Sequence, residues 1–257
     1  MTKIAVIGVG HMGSAIIKGL VKSSPDNVII GENPTNPRVN DLAQQLGFDL
    51  IDNLLDLNSL KPDIVILTTP APLTLQVAKG LDLDKKTIII SAAAGVSYED
   101  LHTTLPNNPV ARIIPNIPVS INSGTIGLFL PEDMESDIKV EIEDFLAQLG
   151  DIITVKENQL SIVGTIAGCG PAFVDVFLDA LGDAGVLNGL SRSVANKLAA
   201  SMVKGSSSLA YDSPLAPAQL RDQVCSPGGT TIKGVVDLEK NGFRYSIISA
   251  INKANEN

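Results

Sequence analysis

The sequence has no tryptophan, and aromatic residues make up only 4% of its 257 positions. The stacking platforms that bind single-stranded nucleic acid are therefore largely missing. Positive charge is also short, 19 Lys and Arg against 28 Asp and Glu for a net charge of -9. An acidic chain must concentrate its few cations to neutralise phosphates along a duplex, so no nucleic-acid partner is expected. Two histidines, His11 and His102, leave zinc sites and Ser/His/Asp triads almost nothing to draw on. The two cysteines, Cys169 and Cys225, have no metal spacing and are too few for a disulfide framework. We read them as small packing residues, expect no metal, and place the protein in the cytoplasm. No apolar run approaches the roughly 18 uninterrupted residues of a membrane span. The start, MTKIAVIGVG, enters a strand-like run with no basic segment and long apolar stretch before it, so neither membrane association nor a secretory leader is expected.

What is present reads as a folded protein, 44% hydrophobic and 18% charged. The length suits two domains, one large and one smaller. In the first half, the apolar runs KIAVIG, NVIIGEN, FDLI, DIVILTT, TIIISAA and VARIIP alternate with more polar or amphipathic stretches. That alternation predicts a parallel sheet wrapped by helices, and the Val/Ile content predicts strands buried on both faces. SGTIGLFL and DIITV read as further strands, with a helix between them over 131–150 that opens with acids and is ended by Gly150. SYEDLH reads as an exposed helix start capped by Ser97. From about residue 155 the strand signal disappears. Segments 157–187, 191–211 and 229–255 have helical apolar spacing and many small residues, with DSPLAPAQ as a connector inside this second, all-helical domain.

Two glycine-rich stretches carry chemistry. Gly8-Val9-Gly10-His11-Met12-Gly13 fits G-x-G-x-x-G between a strand and a helix. In that context the glycines allow a tight turn, close approach to a pyrophosphate and tight helix packing, while the helix start offers free N–H groups. His11 is read as a loop residue whose backbone matters more than its ring. Glu32, at the end of the second strand, stands where an acid would bond a ribose 2′-hydroxyl and favour NAD. Asn33, Thr35, Asn36 and Arg38 follow and can ligate a 2′-phosphate, which favours NADP. In the alternative reading, Glu32 points to solvent and Arg38 sits on an exposed first helical turn. On residues alone both cofactors remain open.

The second stretch is CSPGGTTIKG, 225–234. Pro227 fixes the entry, Gly228 and Gly229 leave the backbone unshielded, and Thr230 or Thr231 begins a helix that Asn241-Gly242 ends. Such a start binds an anion, but its dipole contributes only ~0.3–1 kcal/mol at a surface, so several amides and the hydroxyls of Ser226, Thr230 and Thr231 must converge. A small acid held by its carboxylate fits. An alcohol substrate would want a base of tuned pKa, and no His, Tyr or Lys stands beside these hydroxyls. A protonated imine needs less help, because its carbon is already electrophilic. Arg221 and Asp222, adjacent on a helix, are expected to point apart and to hold the loop through separate hydrogen bonds.

The stretch LRDQVCSPGGTTIKGVVDLEKNGFR, 220–244, resembles the signature of the pyrroline-5-carboxylate reductase family, L-[RK]-D-x-V-x-S-P-G-G-[TA]-T-I. IGVGHMGSAI at 7–16, SAAAGV at 91–96, ARIIPNIPVSINSG at 111–124 and AGCGPAFVDVFLDALGDAGVLNGLSR at 167–192 extend the resemblance over essentially the whole chain. It implies an α/β fold with a Rossmann-type NADP-binding domain, 1–153, and a C-terminal all-helical substrate-binding and dimerisation domain, 154–257. It implies reduction of a small imine carboxylate, 1-pyrroline-5-carboxylate, to L-proline in the last step of proline biosynthesis, with NADPH, NADH remaining possible, by a dimer or a ring of dimers. Thr231 would be the catalytic residue, hydrogen-bonded to the ring nitrogen. Ser226, Gly228, Gly229 and Thr230 would complete the substrate site. The cofactor would lie along Ile7 to Gly13, Asn33, Thr35, Arg38, Asn53, Thr68, Thr69, Pro70, Ala92, Ala93, Ala94, Pro115 and Asn116, with Gln223 nearby. The chain departs from the family pattern at A-V-K-P, where it has Thr68-Thr69-Pro70-Ala71 and then Pro72. It also departs at the histidine of H-P-x-x-L-[RK]-D, which is Ala216, and at a nearby acid of some relatives, which is Pro214. Rival readings are a reductase of another cyclic or open-chain imine acid and a catalytically silent NADP-binding regulator.

Overall fold

A computed structural model describes residues 1–256, arranged in two compact units, Met1–Gly168 and a second beginning at Cys169. The first unit is built on one eight-stranded sheet: β1 (Lys3–Ile7), β2 (Val28–Glu32), β3 (Asp49–Ile51), β4 (Ile64–Leu67), β5 (Ile88–Ser91), β6 (Val110–Ile114), β7 (Gly124–Phe129) and β8 (Gly150–Thr154). Their spatial order is β3-β2-β1-β4-β5-β6-β7-β8. The helices of this unit are α1 (His11–Ser23), α2 (Pro37–Leu46), α3 (Leu54–Leu60), α4 (Ala71–Lys79), α5 (Tyr98–Thr104), α6 (Ser136–Ala147) and α7 (Leu160–Val163). The strands β1, β4, β5 and β6 are almost wholly buried because a core lies on each face. One core contains Ile4, Val6, Ile66 and Ile90, and the other Ala5, Ile7, Val65 and Ile89. The alternation of side chains along each strand divides these runs between the two.

Three features differ from the sequence expectation. The sheet is not wholly parallel, since β7 runs antiparallel to β6. A parallel return needs a crossover of a dozen or more residues, whereas the β6–β7 link contains one 3-10 turn, Ile117–Ile121. Gly150 does not end the helix before it. α6 stops at Ala147, and Gly150 begins β8 opposite Gly124, whose carbonyl would lie 2.1 Å from any Cβ at that position. Residues beyond 153, which the sequence division assigns to the helical domain, continue on the first unit as far as Gly168, and α7 packs on β6 and β7.

The second unit holds α8 (Gly170–Leu187), α9 (Arg192–Asp212), α10 (Pro217–Gln223), α11 (Thr230–Lys240) and α12 (Phe243–Ala254). α8 and α9 pack closely because small residues meet: a Cβ on Gly185 would lie 2.7 Å from that of Ala195, and one on Gly182 would lie 2.4 Å from Asn196 Oδ1. A π-helical turn, Gly164–Cys169, runs into α8, and the sequence pattern does not anticipate it. By length and apolar content the helical run Glu157–Leu187 could cross a membrane, although charge and glycine interrupt its apolar residues. It carries Asp175, Asp179 and Asp183 at four-residue spacing, the last paired with Arg192 at 2.6 Å. Such a row is costly in hydrocarbon. Apolar side chains stand uncovered across this unit, among them Val176 at 71% and Leu187 at 86% exposure.

Candidate active site

The carboxyl ends of β1, β2, β4, β5 and β6 share one edge of the sheet because these strands are mutually parallel. The order reverses between β1 and β4, the topological position at which open α/β sheets bind ligands. The glycine turn leaves β1 there. Gly8 has φ +93, and a Cβ on it would press on Thr69 and the Thr68 backbone at 3.0–3.1 Å. A Cβ on Gly13 would lie 2.4 Å from the Gly8 carbonyl oxygen, so this glycine seats α1 against the turn. Gly10 differs from both, with φ -75 and nothing within 4 Å of the position a Cβ would take. This open space lies at the start of α1, which no side chain caps. Free amides beside room for a phosphate are the features that bind a dinucleotide's pyrophosphate, and the residues fit that group. His11 is the first residue of α1 rather than a loop residue, and Met12 packs partly against the core.

Side chains from three neighbouring segments fix the turn. Thr68 Oγ1 lies 2.7 Å from the Gly8 carbonyl oxygen and 3.0 Å from that of Ile7. The Val9 N–H donates to Asn33 Oδ1 at 3.0 Å, and the Val9 carbonyl accepts from Arg38 Nη2 at 2.7 Å. Arg38 is exposed on the first turn of α2, but its guanidinium does not reach out to solvent: it bends back to the glycine turn. Glu32 does not point to solvent either: it is 8% exposed, and burial, then the nearby charge of Asp52, hold its carboxyl above the usual range. Thr35 is exposed, and Asn36 caps α2. Asn53 caps α3, accepting from the Asp56 N–H at 2.9 Å, while its amide bonds Asp52 and Asp56.

Further along the same edge, Thr69 pairs with Thr74 at 2.9 Å and Pro70 precedes α4. Ala92 donates to the Leu67 carbonyl at 2.8 Å, Ala93 is buried, and Ala94 is exposed before Gly95. Pro115 and Asn116 are buried, and the Asn116 side chain is used on both sides, donating to the Ala167 carbonyl at 3.1 Å and accepting from the Thr125 N–H at 2.8 Å. The sequence reading missed a charged cluster that β6 also carries. The Arg112 guanidinium, nearly buried with Nε unpartnered, pairs with Glu157 at 2.6 Å, and Glu157 Oε1 also accepts from the Tyr98 N–H that opens α5. The one available signal was a charge in the middle of the apolar run VARIIP. The Tyr98 phenol is held above its ordinary value by burial first, then by Asp133 and Glu157.

In the second unit, Ser226 to Gly229 form the turn before α11. Gly228 has φ +70, and the Gly229 N–H donates to the Ser226 carbonyl at 3.0 Å. A Cβ on Gly229 would meet Ser226 Oγ at 2.3 Å. Thr230 begins the helix with Gly229 at its cap position, no side chain caps it, and Thr230 and Thr231 are exposed. The first-turn amides and two hydroxyls are thus available to a small anion. Asn241 and Gly242, at φ +74, end the helix as expected. Arg221 and Asp222 do not point apart: the guanidinium folds back onto its neighbour at 2.6–2.9 Å. Gln223 ends α10 and is exposed.

A family model described as pyrroline-5-carboxylate reductase dimerisation matches residues 157–257, and one described as NADP oxidoreductase, coenzyme F420-dependent, matches residues 3–95. A pyrroline-5-carboxylate reductase of Synechocystis sp. is 32% identical over 255 residues, covering 98% of this chain and 95% of the relative. The chain belongs to the pyrroline-5-carboxylate reductase family. Two solved structures of pyrroline carboxylate reductases agree along the whole chain. That of Streptococcus pyogenes superposes with TM-score 0.84 at 32% identity, covering 99% of this chain and 96% of its own. That of Plasmodium falciparum, with NADP bound, gives 0.83 at 27%, covering 99% and 95%. The region matched by the dimerisation model includes the helices of the second unit whose apolar side chains stand uncovered in a single chain, such as Val176 and Leu187, and self-association is consistent with that exposure.

Proposed function

We propose that the protein reduces 1-pyrroline-5-carboxylate to L-proline, the last step of proline biosynthesis, with NADPH preferred and NADH accepted. The observation that carries this reading is the uncapped start of α11 within an intact SPGGTT turn, in a chain of this family. When bound, the reduced nicotinamide supplies a hydride to the imine carbon, and the ring nitrogen keeps its proton. The chain's own residues bind and orient. The amides of the first turn of α11, with Ser226, Gly228, Gly229 and Thr230, hold the substrate carboxylate, and Thr231 hydrogen-bonds the ring nitrogen. The glycine turn and the start of α1 hold the pyrophosphate. Positioning carries most of the rate, since an oriented pair avoids much of the entropic cost of encounter. No histidine is required, which agrees with Ala216 and the scarcity of that residue.

NADPH is favoured because a family member at full-length coverage was solved with NADP, and Thr35 and Asn36 lie beside Glu32 on the β2–α2 loop. The assembly is a dimer or a ring of dimers in the cytoplasm. The test is loss of reduced-nicotinamide absorbance with the pyrroline substrate, run with NADPH and with NADH, beside a panel of other cyclic imine acids. Turnover fastest with the five-membered substrate supports the reading. Faster turnover of a six-membered imine acid, or cofactor binding without turnover of any imine, overturns it.

A further inference from the structure

We propose that Asn33 and Arg38 are positioning residues that clamp the Val9 peptide, and through it the pyrophosphate-binding turn, for either dinucleotide, instead of serving as ligands of a 2′-phosphate. The inference rests on the reading of the glycine turn as the dinucleotide site.

Val9, between Gly8 and Gly10, is fully buried. A buried peptide must find hydrogen-bond partners, and this one lies between a strand end and a helix start, outside both ladders. Its N–H goes to Asn33 Oδ1 at 3.0 Å and its carbonyl to Arg38 Nη2 at 2.7 Å, residues 24 and 29 positions away. Ser14 Oγ, at 3.4 Å from the same carbonyl, is a longer second partner. The two clamping side chains are themselves held. The Asn33 amide donates to the Pro34 carbonyl at 2.7 Å, which fixes which end of the amide faces Val9. The Asn33 N–H donates to Ile51 O at 3.1 Å, tying the loop to β3. Arg38 starts from the first turn of α2, where its own N–H donates to the Asn36 cap at 3.0 Å, and its Nη1 lies 3.5 Å from Ser14 Oγ on α1.

A guanidinium drawn out to a 2′-phosphate would leave the buried Val9 carbonyl with Ser14 alone. The clamp instead keeps the β2–α2 loop, the glycine turn and the start of α1 in register whichever dinucleotide is present. Discrimination between the two then falls to groups at the loop's outer face, where Thr35 is exposed, and to Glu32.

The test measures NADP⁺ and NAD⁺ binding by calorimetry on the full-length protein for wild type, Arg38→Ala, Arg38→Lys and Asn33→Ala. It also measures amide hydrogen exchange over residues 8–13 without ligand. Losing one hydrogen bond made by a charged group corresponds to roughly ten- to a hundredfold in Kd. Arg38→Ala is expected to weaken both dinucleotides by similar factors of that order. Arg38→Lys is expected to recover most of the loss, and exchange at 8–13 to speed up in both alanine variants. A loss confined to NADP⁺ in Arg38→Ala, or unchanged exchange at 8–13, overturns the proposal. If wild type binds neither dinucleotide, the reductase reading fails, and the exchange comparison on the unliganded protein still decides whether the clamp exists.

Discussion

The second and third glycines of the turn, Gly10 and Gly13, make opposite demands, and replacing each by alanine separates binding from folding. Gly10 has φ -75 and ψ -155, a region open to any residue, and a methyl there meets no protein atom within 4 Å. Gly10→Ala should therefore leave thermal stability unchanged, or raise it by up to ~1 kcal/mol through the unfolded chain. The added methyl stands where the pyrophosphate must approach the amides. Losing one such bond to a charged group costs about 1.5–3 kcal/mol, a factor of roughly ten to a hundred in Kd. Gly13→Ala places a methyl 2.4 Å from the Gly8 carbonyl and 2.8 Å from Thr68 Oγ1, so backbone must shift. Overpacking of that kind costs about 1–3 kcal/mol, several degrees in Tm. Scanning calorimetry and dinucleotide titration of both variants test the pair. A Gly10→Ala protein that binds dinucleotide like wild type would show that the space above the turn is not the phosphate site, and an unshifted Tm for Gly13→Ala would refute the packing argument.

Thr231→Ala should lower kcat by roughly 10²–10³-fold if its hydroxyl serves the transition state, and a steady-state rate within twofold of wild type removes it from the mechanism. Glu32 has a folded pKa raised above its ordinary 4.5, so its ionised form penalises the folded state above that raised value and not below the unfolded one. Glu32→Gln should consequently gain stability relative to wild type in urea melts at pH 7.5 and lose that advantage near pH 4. An equal difference at both pH values would contradict the burial argument. Glu157→Ala strands the nearly buried Arg112 guanidinium, and because Glu157 itself is one-third exposed the cost should fall near the low end of the ~3–5 kcal/mol for a broken buried pair. Chemical denaturation measures it, and a loss below about 1 kcal/mol would mean that water replaces the partner.

The central strands β1, β4, β5 and β6 were legible because Val and Ile runs buried on both faces have few alternatives, and the glycine turn because strand, glycines and helix stand in one short stretch. The start of α11 was legible for the same local reason. What stayed hidden depends on distant partners or on connection length. The reversal of β7 follows from a β6–β7 link too short for a crossover, and the role of Gly150 follows from its approach to Gly124 across the sheet. Arg38 reaching Val9, Arg112 reaching Glu157 and Asn116 bridging Thr125 and Ala167 join residues that no local pattern associates. Arg221 and Asp222 show the converse failure. Adjacent helical positions do splay their Cβ atoms, but a long guanidinium can fold back to its neighbour.

The most direct test of the central claim is a structure of the assembled protein with NADP⁺ and L-proline bound. The account predicts the proline carboxylate against the amides of Thr230 and Thr231 at the start of α11, with its ring nitrogen within hydrogen-bonding distance of Thr231 Oγ1. Proline seated elsewhere, with those amides facing only solvent, would contradict it.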